Sequence, residues 1–148
     1  MGRVETLLAE MGLSLPAPKA PVANYLGTKQ YQNLLYVSGR VSEQRGQVGT
    51  EVSAEKAKLA ARDTALDLLA IIKSDIGNLD RISSILKVQG FVNSAASFKT
   101  QPKVIDGASE LLIAVYGESG KHARTATGVA QLPYGASIQL DMVVELAG

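Results

Sequence analysis

Between Ser53 and Ile76 the hydrophobic pattern of this 148-residue chain changes period, and that change restricts the fold more than any other feature. Ala54, Ala57, Ala61, Ala65, Leu68, Leu69, Ile72 and Ile76 recur at the spacing of one helix face. Ser53 is placed to cap the start and Gly77 to end it. A second helical run spans 101–117, where Pro102 suits a first turn and Val104, Ile105, Ala108, Leu111, Leu112 and Val115 form the apolar side. The remaining periodic segments read as strands, at about 25–30, 34–40, 81–92, 123–132 and 137–147. In the last of these Ile138, Leu140, Met142, Val144 and Leu146 alternate with Gln139, Asp141, Val143 and Glu145, the pattern of a half-buried strand. The order β-β-α-β-α-β-β predicts an α+β fold, with two long helices on one face of a mixed sheet.

The segments before the first strand are of another kind. Residues 3–11 read as a short amphipathic helix with Val4, Leu7, Leu8 and Met11 on its stripe. The stretch "LSLPAPKAPVAN" is an extended connector, because its prolines forbid a helix. Gln32-Asn33 marks a tight turn, and "SEQRGQVGTEV" a glycine-punctuated loop. No repeat or composition break suggests a second domain, so residues 1–148 read as one unit, with 1–22 as N-terminal helix and connector.

Much chemistry is excluded by what the chain lacks. A net charge of +1 gives no long-range field for nucleic acid or anionic lipid. With no cysteine and one histidine, thiolate zinc sites and cysteine nucleophiles are out, and no metal or cofactor is expected. Neither GxxxxGK[ST] nor GxGxxG nor GxSxG occurs, and Ser38 in "YVSGRV" lacks an evident base. No apolar run approaches the roughly 20 residues of a membrane span. Glu5 and Glu10 interrupt the N-terminal apolar pattern, which argues against a signal peptide and makes the cytoplasm the default location.

One residue stands apart. In "HARTATGVAQLP", Arg124 shares a strand face with Ala126 and Gly128, next to the chain's only histidine, His122. Small neighbours leave room beside a guanidinium, whose fork matches a carboxylate through two hydrogen bonds. Asp141 or Glu145 on the last strand would instead neutralise it as a structural ion pair; periodicity does not choose between the two.

The segments "NYLGTKQYQNLLYVSGRV", "GFVNSAASFKTQPKVIDGASELL" and above all "HARTATGVAQLPYGASIQLDMVVEL" resemble the RidA/YjgF family, also known as the L-PSP endoribonuclease family. The resemblance runs from Ala23 to Leu146, and the middle segment is similar to the longer subgroup with FVNS, QPKVI and GAS. It implies a chorismate-mutase-like fold assembled as a homotrimer, with small-molecule sites at subunit clefts. It implies that Arg124 grips a ligand carboxylate, that Tyr25 and Ser38 lie near it, that Ala126 lines the pocket, and that Asp106 stands where the subgroup usually has asparagine. Family members hydrolyse reactive 2-enamine and 2-imine acids, such as 2-aminoacrylate, to 2-keto acids and ammonia.

The chain departs from that pattern on its last strand. The position matching the family's water-handling glutamate is Gln139, an amide that hydrogen-bonds water but cannot take its proton. Asp141, on the same face about 7 Å along, is the alternative. The expected function is therefore deamination with Arg124, Gln139 and Asp141 as the reacting set, or else a non-catalytic trimeric module binding small carboxylates or a protein partner. The endoribonuclease or translation-inhibitor activity ascribed to some relatives fits the near-neutral charge and sparse aromatics badly.

Overall fold

A computed structural model describes residues 2–148. Its elements in chain order are α1 (Arg3–Glu10), β1 (Thr28–Tyr31), β2 (Leu34–Val41), α2 (Ala54–Ile76), β3 (Ile82–Asn93), α3 (Gln101–Tyr116), β4 (Ala123–Val129) and β5 (Ile138–Leu146). The sheet order is β1-β2-β5-β3-β4, with β3 and β4 parallel and every other pair antiparallel. The C-terminal strand β5 is thus inserted between β2 and β3, and α3 is the crossover joining parallel neighbours. This is the α+β fold that the order of elements predicts.

The helix signals act as expected. The Ser53 hydroxyl accepts from the Lys56 N–H, and α2 ends at Gly77 with φ 88. Both helices cover one face of the sheet, meeting Leu140, Met142 and Val144 of β5 and Ile85, Val88 and Val92 of β3. They also touch each other closely: a Cβ on Gly107 would collide with the Lys58 carbonyl, so only glycine permits this spacing. Two strand limits differ from the sequence reading. β4 stops at Val129 because its partner β3 ends at Asn93, which leaves the residues beyond without a ladder. β1 begins at Thr28, since 22–25 bend and the Tyr25 N–H bonds back to Ala23.

The N-terminal segment forms a strap over the outside of the helix layer. α1 is held there by Asp80, whose carboxylate accepts from the N–H groups of Arg3 (2.9 Å) and Val4 (3.3 Å). Val4 and Leu8 are buried as expected, but Met11 is 45% exposed, so the apolar stripe ends one turn early. The connector then crosses α2, where Lys19 pairs with the buried Asp67 at 2.9 Å and with Glu43 at 3.1 Å. Covered on both sides, α2 buries nine consecutive residues, 64–72, and is not the one-faced helix its alanine spacing suggests. The opposite sheet face is bare in a single chain, and carries Tyr36, Gln89, Phe91, Gln139, Asp141 and Val143. Among the described residues no helix is long and apolar enough to cross a membrane.

Candidate functional site

Arg124 stands opposite the buried Val88 in the β3–β4 register, so its side chain points to the helix-covered face. There Nη1 donates to Asp106 Oδ1 at 2.7 Å and to Ser109 Oγ at 3.2 Å. Asp106 and Ser109 are three residues apart on α3 and therefore share a face. Ser109 Oγ lies 2.9 Å from His122 Nε2, and His122 Nδ1 lies 2.7 Å from the Gly120 carbonyl. A carbonyl only accepts, so Nδ1 carries a proton and donates to it, while Nε2 and the Ser109 hydroxyl share the second hydrogen bond. Every donor in this chain of contacts has an acceptor. The result fixes Nη1 and leaves the guanidinium edge formed by Nε and Nη2 without a partner among the described residues.

Two expectations about Arg124 are corrected. Asp141 and Glu145 do not neutralise it: both lie on the bare face, Asp141 opposite Gln89 and Glu145 bonded to the Ser83 hydroxyl. The counter-charge comes from Asp106 on the helix layer. The space beside Gly128 is also filled, since the Gln101 amide would lie 2.6 Å from a Cβ there. Ala126 packs against the core.

Tyr25, Ser38 and Gln139 gather elsewhere. Ser38 Oγ donates to the Leu26 carbonyl at 2.6 Å and its N–H to Gly27, so the hydroxyl ties down the loop that carries Tyr25. Gly39 leaves room for Gln139, whose Nε2 would be 3.2 Å from a Cβ at that position. Tyr25, Arg40, Arg45, Tyr134 and Gln139 surround a cleft of about 440 Å³. One wall is the 42–46 loop, clasped to the turn before β5 by Ser137 Oγ on the Gly46 carbonyl (2.7 Å) and Arg45 Nη1 on the Tyr134 carbonyl (2.7 Å). Tyr134 adopts a left-handed φ of 60 to make that turn.

Asp141 lies outside this cleft on the bare face, where burial raises its pKa and the nearby Lys87 charge opposes the rise. Gln139 and Arg124 are on opposite faces, with β3 between their strands, so the two strands run about 10 Å apart, and Gln139 pairs with Phe91 while Arg124 pairs with Val88, three residues away along β3. One chain therefore divides the candidate residues into two groups: Arg124, Asp106 and Ala126 at the β4 edge, and Tyr25, Ser38 and Gln139 across the sheet. Among the described residues no three His, Asp or Glu side chains form a metal-sized group.

Ser109 and His122 were not among the candidates from sequence. The signal for His122 was present, as it lies two residues before Arg124 and so on its face. Ser109 becomes relevant only through the α3 crossover.

Residues 5–146 match the family described as "YjgF/chorismate_mutase-like, putative endoribonuclease". The chain belongs to this YjgF family. It is 40% identical to Protein TCP17 of Trypanosoma cruzi over 152 residues, which cover 98% of this chain and 95% of that protein. Among solved structures it is similar to Atu1372 from Agrobacterium tumefaciens, with TM-score 0.92 and 39% identity over 98% of this chain and 93% of the other. A putative endoribonuclease from Shewanella oneidensis gives TM-score 0.93 and 30% identity over 97% and 99% of the two chains. The YjgF fold extends to RidA from a Psychrobacter species at 20% identity and TM-score 0.53, over 88% of this chain and 94% of the other.

Proposed function

We propose that the chain hydrolyses 2-imino and 2-enamino acids to 2-keto acids and ammonia, in clefts formed between three copies of itself. The observation that carries this reading is the open edge of Arg124. Asp106 and Ser109 hold one nitrogen, and the Nε/Nη2 pair presents the planar fork that takes a carboxylate with two hydrogen bonds. The division into two groups supports assembly, because the bare sheet face of one copy is where Gln139 is reached and the β4 edge is where Arg124 is reached.

The chemistry asks little of the protein beyond positioning. Arg124 holds the substrate carboxylate so that the adjoining C=N group lies against the neighbouring copy's cleft. An enamine first takes a proton at carbon to become the imine. Water held by the Gln139 amide adds to the imine carbon, losing a proton as the nitrogen gains one. The resulting carbinolamine expels ammonia and leaves the keto acid. Gln139 orients the water but cannot accept its proton, so Asp141 or solvent takes that role.

A second reading, a trimer that binds small carboxylates without turnover, is favoured by the same amide at position 139. A coupled assay separates the two. A threonine or serine dehydratase generates the imine in situ, and keto-acid formation is followed with wild type, with Arg124→Ala and without added protein. Acceleration by wild type alone is expected; no acceleration by an intact wild-type oligomer selects the binding reading.

A further inference from the structure

Two arginines in the Gln139 cleft have no counter-charge. Arg40 makes a single side-chain hydrogen bond, a long 3.4 Å contact from Nη1 to the Ala20 carbonyl, and its buried Nε has no partner. Arg45 commits Nη1 to the Tyr134 carbonyl, and its guanidinium lies 6.0 Å from the centre of the Tyr134 ring. Neither forms an ion pair among the described residues. Lys19 also lines the cleft but is paired with both Asp67 and Glu43. Glu43 is the only carboxylate in the lining, so nothing there is left to neutralise the arginines.

A buried guanidinium N–H without an acceptor costs free energy unless something arrives to accept it. The surroundings are fixed in advance: the left-handed Tyr134 and the clasped 42–46 loop hold Arg45 on one wall, while Arg40 emerges from beneath the connector on another. Two unpaired guanidinium cations lining one small cleft match a carboxylate better than a hydroxyl or an apolar chain. Resting on the function proposed above, we infer that Arg40 and Arg45 bind the distal carboxylate of a dicarboxylic 2-imino acid whose first carboxylate is held by Arg124 of an adjoining copy. The products would then be a 2-keto dicarboxylate and ammonia.

The test is calorimetric titration of the full-length oligomer with oxaloacetate and 2-ketoglutarate, against pyruvate and 2-ketobutyrate, in wild type, Arg40→Met, Arg45→Gln and Arg124→Met. The dicarboxylates are expected to bind about tenfold tighter or more, as charge-assisted hydrogen bonds should give. Arg40→Met and Arg45→Gln should each reduce that preference, and Arg124→Met should weaken all four acids. Arg45 is exposed, so its variant keeps the test valid if Arg40→Met misfolds. Equal binding of both classes, insensitive to Arg40 and Arg45 but lost in Arg124→Met, overturns this inference and leaves the proposed function standing. Loss of dicarboxylate binding in Arg40→Met but not in Arg124→Met supports the arginine subsite and overturns the shared site. No binding of either class overturns both.

Discussion

Arg124 and Gln139 occupy opposite faces of one sheet, separated by strand β3. The function proposed above draws them from different chains, and several consequences of that proposal can be measured.

The first concerns how Arg124 is held. Asp106 is 42% exposed, so its ion pair is partly screened, and Asp106→Ala should lower stability by about 1 kcal/mol or less. Ligand binding should suffer more, because Nη1 loses its 2.7 Å anchor and the guanidinium gains freedom. Ser109→Ala differs in kind: Ser109 is buried, and the variant strands His122 Nε2, for a cost of about 1–3 kcal/mol. Thermal melts and 2-ketobutyrate titrations on both variants check this. Equal loss of stability in the two would contradict the assignment.

The connector part of the strap is expected to depend on the Lys19 ion pairs. Burial alone would lower the Lys19 pKa, but the hydrogen bonds and charges of Asp67 and Glu43 outweigh it and hold the ammonium above the ordinary lysine range. The folded state thus binds that proton more tightly than the unfolded chain. The stabilisation is complete below lysine's ordinary pKa and is lost as pH rises through the elevated one. Asp67→Ala leaves Lys19 facing only Glu43, and should cost up to about 3 kcal/mol while speeding amide exchange across residues 13–24. Unchanged exchange there would show that apolar contacts alone hold the connector.

Asp141 shifts in the same direction as Lys19 but for a different cause. Burial raises its pKa, so the charged carboxylate is disfavoured in the fold, and Lys87 only partly compensates. Its ionisation weakens the folded state in full above the raised pKa; the penalty shrinks as pH falls through that value and is gone below the carboxylate's ordinary pKa. Asp141→Asn should therefore melt slightly higher than wild type at neutral pH, with the gap closing in acid. A fall in turnover in the same variant would assign the water's proton to Asp141.

The helices, the strands and their α+β arrangement were legible because each period was unbroken, from Ala54 to Ile76 and from Ile138 to Leu146. Alternation likewise grouped Arg124 with Ala126 and Gly128. It could not say which side of the sheet that group faced, since period two fixes relative faces within a strand and not between strands. Only the insertion of β5 between β2 and β3 places Asp141 away from Arg124. Asp106 reaches Arg124 through the α3 crossover, and residues 64–72 are buried by a strap more than forty positions earlier in the chain. Such long-range packing leaves no local mark.

The shared site is tested most directly by mixing two silent variants. Arg124→Ala lacks the carboxylate anchor, and Gln139→Lys puts an ammonium where the water is held. If each cleft combines Arg124 of one copy with Gln139 of another, co-refolding the two in equal amounts should restore about a quarter of the wild-type sites, as random mixing in a cyclic oligomer requires. Mixed oligomers that form but remain inactive in the imine-coupled assay would contradict the account.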